Sequence, residues 1–306
     1  MLAAQIASAI RGLAAGDALG VPWETAPPEK IDRARLHELP ASRDWPPGAT
    51  SDDTDQMLIV ARLLADTLGQ PTAEEFMRRL SAQAGEIRGL GSTTRRALRD
   101  FAETGRVANP GVLISSAGAL ISSDISDMRR ASNGAAMRIA PVGWMVPAGQ
   151  ARRRRELVVE LSRGTHGHPV AIGAAAIVAA MAAYAIEDPD GILPAAVAEA
   201  EWLSMPEFAD VRHAAEGSWT PPSGGISVLA APTVAAVTHA IHHSTDLATA
   251  QTFAVTMGGD TDTVAAIVGG ILGAVPGQPV PPWWDKVHFP ADPEADALAA
   301  RLAELR

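Results

Sequence analysis

Residues 51–68 read SDDTDQMLIVARLLADTL. From Thr54 onward Met57, Val60, Ala61, Leu64 and Leu68 recur at helical steps, which predicts one apolar helix face over 54–68. The head of the same segment packs three carboxylates, Asp52, Asp53 and Asp55, beside the hydroxyls of Ser51 and Thr54. Such residues suit a helix N-terminus, where side-chain oxygens accept free N–H groups and negative charge meets the positive end of the dipole. One cap needs only one acceptor. The surplus carboxylates therefore raise a second reading, a held cation.

Working outward, nearly every periodic segment is helical. TAEEFMRRLSAQ begins on Thr72 with Glu75 three residues on, a capping-box pattern. Leu2, Ile6, Ile10 and Leu13 give the N-terminal segment a helical face. Further helices are expected at 92–104, 134–146, 151–163, 168–186, 190–202, 228–242, 245–257, 261–274 and 292–305. Alternating β-branched and aromatic runs, the signature of strands, are nearly absent. Pro and Gly punctuate short loops such as DWPPGATS (44–51) and PGQPVPPWW (276–284), and none is a long polar linker. The expected fold is all-α: one compact domain over 1–306, an orthogonal helical bundle whose abundant Ala and Gly let helices approach closely.

Composition narrows the function classes. Hydrophobic residues make up 47% and charged residues 20%, a globular balance. There is no cysteine, which excludes disulfides, thiolate nucleophiles and thiolate metal sites. A net charge of -10 argues against general nucleic-acid binding. The basic run Arg152–Arg155 reads as the solvated start of a helix. PVAIGAAAIVAAMAAYAI (169–186) is almost long enough to span a bilayer, but its Ala and Gly content and lack of an aromatic belt favour a buried helix. Arg11 interrupts the first apolar run, so no signal peptide is expected. A cytoplasmic monomer with no membrane or nucleic-acid partner is the expectation.

A second acidic head, GGDTDTVAAIVGGIL (258–272), echoes the first. Either one alone is explained by capping. Together, Ser51, Asp52, Asp53, Asp260, Asp262 and Thr263 supply enough hard oxygen for two ions, provided the two helix starts meet. Paired metals roughly 3.5–4 Å apart can share carboxylates and activate a water. Glu24, in a loop after Trp23, is either a surface residue or a partly desolvated general base. Ser132-Asn133-Gly134 opens a helix and offers either plain capping or free N–H groups to a phosphate. His166 and His168 sit in a Gly- and Pro-containing turn, and are either metal ligands, substrate contacts or structural.

The ordered set GDALGVPWE (16–24), SDDTDQM (51–57), RGLGSTTRRAL (88–98), SNGAAMR (132–138), THGHP (165–169) and GGDTDT (258–263) resembles the ADP-ribosylglycohydrolase family, which includes the dinitrogenase reductase-activating glycohydrolases. The resemblance implies an all-α fold and a centre of two Mg²⁺ or Mn²⁺ ions. It implies cleavage of the bond between C1″ of ADP-ribose and an acceptor, a protein side chain such as arginine or serine or a small molecule. By matching motif, Ser51, Asp52 and Asp53 form one ligand group and Asp260, Asp262 and Thr263 the other. Glu24 matches the loop glutamate near the metals and the scissile bond. Asn133 and Gly134 match the turn that holds the diphosphate and adjoining ribose, and Gly91 and His166 match further substrate-lining positions. Ser51 stands where many members have Thr, and Ser132 where Gly is common. Segment 202–226 matches nothing in the family pattern, which makes it the candidate seat of acceptor specificity. Two rival functions are a two-metal phosphoester hydrolase acting on nucleotides and a non-catalytic ADP-ribose-binding protein on the same fold.

Overall fold

The computed structural model describes residues 1–107 and 131–306, together with the backbone of a two-stranded antiparallel ribbon, β1 (Leu113–Ile114) and β2 (Leu120–Ile121), in which Leu113 faces Ile121. The other regular elements among the described residues are helices. In chain order the helices are α1 (Leu2–Gly20), α2 (Asp52–Asp66), α3 (Ala73–Gln83), α4 (Ser92–Thr104), α5 (Ala140–Met145), α6 (Ala151–Ser162) and α7 (Pro169–Glu187). They continue with α8 (Ile192–Leu203), α9 (Ala209–Ala215), α10 (Ala230–His242), α11 (Leu247–Thr256), α12 (Thr261–Leu272) and α13 (Asp292–Leu305). The fold is all-α, as the periodicity implied.

The seam that positions the acidic heads is a contact between α1 and α12. Gly16 and Gly20 lie one above the other on α1, four residues apart. A Cβ on Gly16 would fall 2.1 Å from the carbonyl oxygen of Ala265, and one on Gly20 2.3 Å from Cα of Asp262. Only glycine allows backbones this close. Buried Gln251 ties the two helices by donating to the carbonyls of Gly12 (2.7 Å) and Ala265 (3.3 Å). Thr261 Oγ1 donates to the carbonyl of Gly20 at 2.8 Å. The end of α1 is thereby seated on the start of α12, and the loop carrying Glu24 begins at that junction.

Helix α7 is the apolar stretch that might be mistaken for a membrane span by length and composition, and 89% of it is buried inside the protein. It packs against α5, α6 and α8, so its all-round apolarity reflects a central position in the core.

Three sequence expectations need correction. The helix over 134–146 is two pieces, a 3₁₀ turn at Asn133–Ala135 and then α5 from Ala140, with Pro141 at its first turn. Helix α2 ends at Asp66, and Leu68 follows in a left-handed conformation, 70% exposed, off the apolar face assigned to it. Two members of the arginine run are not solvated. Arg154 is buried with its guanidinium on the carbonyls of Pro147 and Ala148. Arg155 makes a two-bond ion pair with buried Glu199 (2.6 and 2.9 Å) and lies over the Trp202 ring at 3.4 Å.

Candidate metal and substrate site

The two acidic heads meet, although they lie over 200 residues apart. Ser51 is the N-cap of α2, its Oγ accepting from the N–H of Asp53 at 3.2 Å, so neither Asp52 nor Asp53 is needed as a cap. Asp260 occupies the N-cap position of α12 but makes no side-chain cap bond. Capping therefore does not account for these carboxylates. Asp53 Oδ2 instead accepts from Ser51 Oγ (3.1 Å) and from Thr263 Oγ1 of the other head (3.3 Å). Asp53 Oδ1 is buried with no hydrogen-bond partner among the described residues.

Glu24 joins this floor because its loop is clamped to the turn before α12. Thr25 N–H donates to the carbonyl of Gly259 (2.7 Å) and Gly259 N–H to that of Ala26 (2.8 Å). Gly258 and Gly259 both have left-handed φ, of 73° and 78°, the conformation that makes this turn possible. Carboxylate oxygens of Glu24, Asp260 and Asp262 come within 4.8 Å of one another. Arg43 donates to Glu24 Oε2 at 2.5 Å.

Burial and mutual repulsion set the electrostatics of these acids. Burial pushes Asp52 up to about 7, with the charge of Asp17 adding to it. Burial pushes Asp260 up to about 6, partly offset by its bond from Asn133. Asp53 and Asp262 are driven well above the carboxylate range by burial and then by neighbouring carboxylates. An unpartnered buried oxygen, mutual repulsion and an all-oxygen donor set fit a hard divalent cation.

A cavity of about 420 Å³ opens above this floor, within the size range of small-molecule sites. Of the residues singled out from the sequence, Glu24, Ser51, Asp52, Asp53, Gly91, Ser132, Asn133, Gly134, His166, Asp260, Asp262 and Thr263 border it, and His168 does not. Gly91 is the N-cap residue of α4 and makes no side-chain cap bond, so the first turn of α4 borders the cavity uncapped. Gly134 packs so tightly on His166 that a Cβ would fall 2.5 Å from the imidazole Cε1. Asn133 is committed to the floor, its amide donating to Asp260 Oδ2 (2.5 Å) and Thr233 Oγ1 (2.9 Å) and its N–H to the carbonyl of Val228 (3.0 Å). Ser132 does not cap its turn and meets His166 Nε2 at 3.1 Å. His168 is structural: its Nδ1 caps α7 by accepting from Val170 N–H at 3.2 Å. The cavity takes no lining from 202–226. Its apolar lip is Trp45, Met137, Val228 and Leu229.

Sequence reasoning missed Asp17 and Arg138. Asp17 is fully buried beneath the head of α2 and accepts from Ser51 N–H (3.0 Å), Thr54 N–H (3.1 Å) and Thr54 Oγ1 (2.5 Å). It orients that head. Burial lifts it to about 6 despite those bonds. Arg138 is likewise fully buried. Both lie inside quoted motifs, GDALG and SNGAAMR, but their types there gave no sign of burial.

Two features now define the class: an all-α frame, and a cavity floored by carboxylates from opposite ends of the chain and suited to divalent metal. The chain belongs to the ADP-ribosylglycohydrolase family, whose model matches residues 2–306. It is 28% identical over 305 residues to the ADP-ribosyl-[dinitrogen reductase] glycohydrolase of Rhodospirillum rubrum, covering 95% of this chain and 94% of that protein. It is 29% identical over 314 residues to an Archaeoglobus fulgidus protein described as uncharacterized, covering 97% and 95%. A solved structure described as an ADP-ribosylglycohydrolase-related protein complex superposes with a TM-score of 0.78 at 28% identity, over 99% of this chain and 98% of that one. Membership of this family supports hydrolysis of ADP-ribose linkages.

Proposed function

We propose that this protein, as one domain over 1–306, hydrolyses the glycosidic bond between C1″ of ADP-ribose and an acceptor. The observation that carries the reading is the convergence of Glu24, Asp260 and Asp262 within 4.8 Å at the floor of a ligand-sized cavity. Ser51, Asp52, Asp53, Asp260, Asp262 and Thr263 would hold two divalent cations, Mg²⁺ or Mn²⁺. The chemistry they would supply there is to orient the ribose hydroxyls and to make a water more acidic.

The remaining chemistry belongs to the chain. The water oxygen forms the new bond to C1″ as the acceptor bond breaks, through an oxocarbenium-like transition state. Glu24 takes the proton from the attacking water, or passes one to the departing acceptor. Its ion pair with Arg43 leaves one carboxylate oxygen for that task. Burial and then the charge of Arg138 push His166 well below its usual range, so it acts as a neutral hydrogen-bonding group at the cavity wall. Nothing in the scheme requires a protein nucleophile, in keeping with the absence of cysteine. The natural substrate is an ADP-ribosylated protein or small molecule, with arginine the first acceptor to try, and the protein acts as a cytoplasmic monomer.

The test is release of ADP-ribose from a panel of arginine-, serine- and acetyl-linked acceptors with Mg²⁺, with Mn²⁺ and with chelator. Metal-dependent release of intact ADP-ribose is expected. Release of AMP or phosphate instead would replace the reading with phosphoester hydrolysis, and binding without release from any acceptor would leave an ADP-ribose-binding protein.

A further inference from the structure

Behind the cavity, Arg138 stands at the root of two hydrogen-bond relays. Its Nη1 donates to Gln56 Oε1 at 2.7 Å, and Gln56 Nε2 donates to Asp52 Oδ2 at 2.7 Å. Its Nη2 donates to Thr165 Oγ1 at 2.7 Å and to the carbonyl of Leu161 at 3.0 Å. Thr165 Oγ1 lies 2.8 Å from His166 Nδ1, and His166 Nε2 lies 3.1 Å from Ser132 Oγ. The guanidinium is fully buried and faces the Phe76 ring at 4.4 Å. Gln56 is also fully buried, and Thr165 and His166 nearly so.

Arginine has donors and no acceptor, and that fixes every proton downstream. Gln56 must turn its oxygen to Arg138, so its NH₂ faces Asp52. Thr165 Oγ1 accepts from Arg138 and, among the described residues, His166 Nδ1 is the one acceptor in reach of its own hydrogen, so the relay is satisfied throughout when Nδ1 accepts it. A neutral imidazole then carries its proton on Nε2 and donates to Ser132 Oγ. Ser132 then turns its own hydrogen away from His166 to Thr93 Oγ1 at 3.4 Å, a long bond at the cavity wall that a substrate oxygen would replace.

We propose that Arg138 is a positioning residue that sets two things at once: the orientation of Asp52 in the acidic floor, through Gln56, and the Nε2–H tautomer of His166 with the donor role of Ser132, through Thr165. The proposal rests on reading the cavity as an ADP-ribose site in one respect, that the Ser132 hydroxyl is offered to an oxygen of the bound substrate.

Replacing Arg138 removes a fully buried charge and threatens the fold, so the test is made at the two relays. In the intact protein, nitrogen-15 NMR of the His166 ring should find Nδ1 unprotonated and Nε2 protonated. Thr165→Val should release that tautomer preference and weaken ADP-ribose binding roughly tenfold, the worth of one lost hydrogen bond. Mn²⁺ affinity should not change. Gln56→Leu should do the converse, weakening Mn²⁺ binding by about tenfold, as loss of an outer partner of a ligand does, and leaving the tautomer alone. A proton on Nδ1 in the intact protein overturns the proposal, as does a pair of variants that shift both readouts alike. Should ADP-ribose fail to bind the intact protein, the substrate reading falls, while the tautomer and Mn²⁺ measurements still decide the role of Arg138.

Discussion

Stripped of divalent cations, the acidic floor is expected to cost stability as pH rises between about 4 and about 7, while His239, which burial lowers to about 4, and His166, lowered well below its usual range, act in the opposite direction. Asp52 carries the argument. Burial, and then the charge of Asp17, raise it from the ordinary 3.8 to about 7. Below the lower value both folded and unfolded chains hold the proton, and the site costs nothing. As pH rises, the unfolded chain ionises freely while the folded one resists, so stability falls until the folded group has titrated. At about 1.4 kcal/mol per pH unit, that interval is worth roughly 4 kcal/mol. Asp17 and Asp260, each raised to about 6, act in the same direction. Their repulsion is shared with Asp52, so the contributions overlap rather than add. At about 2 °C per kcal/mol for a chain of this size, the melting temperature of the parent relative to Asp52→Asn should drop by roughly 8 °C across the interval, a difference from which the histidines cancel. Melting in chelator across that range is the assay, repeated with saturating Mg²⁺, which should flatten the dependence. Asp52→Asn, which removes the charge and keeps the shape, should melt higher than the parent in chelator near neutral pH and gain less from Mg²⁺. A chelated parent whose melting temperature does not fall relative to Asp52→Asn across the interval would refute the account of the floor as uncompensated buried charge.

The remaining predictions concern single positions. Asp262→Ala and Asp53→Ala should abolish turnover and weaken Mn²⁺ binding in a calorimetric titration; full activity in either variant would remove the metal site from the mechanism. Glu24→Ala should lose turnover while its circular dichroism and melting temperature stay near the parent's, since Glu24 is only partly buried and its ion-pair partner Arg43 is exposed. Asp17→Ala in Mg²⁺-saturated protein leaves the N–H groups of Ser51 and Thr54 and the Thr54 hydroxyl without their acceptor, and should cost about 3 kcal/mol in denaturant unfolding. Gly16→Val drives a side chain into a carbonyl that a Cβ would already meet at 2.1 Å, and should cost about 3 kcal/mol or prevent folding; a variant as stable as the parent would mean that the α1–α12 seam is looser than described.

What the sequence made legible was local, and what it hid was the set of partners brought in from far along the chain. Ser51 is readable as a cap because its partner is the N–H two residues on, and an excess of acid beyond that need is readable in the same stretch. That the two heads meet depends on Gly16 and Gly20 against α12, a spacing present in the sequence but silent about which helix it faces. The 134–146 segment has helical periodicity, yet the Asn133 amide is drawn to Asp260 and Thr233, and the chain makes a 3₁₀ turn there before α5 begins. Arg154 and Arg155 read as solvated because charge usually is; Glu199 and Trp202, which draw Arg155 inward, lie more than 40 residues away. Arg138 is the sharpest case. Its charge, in an otherwise apolar segment, suggests a residue whose head reaches water. Its acceptors, Gln56 and Thr165, stand 82 and 27 residues away and arrive only when α2 and the turn before α7 pack around it. Periodicity tells which face of a helix turns inward, but a polar residue on that face is tolerable only if distant groups complete it. The same distant groups orient Asp52 and His166, so the chemistry of this cavity depends on a pairing that no local pattern in the chain encodes.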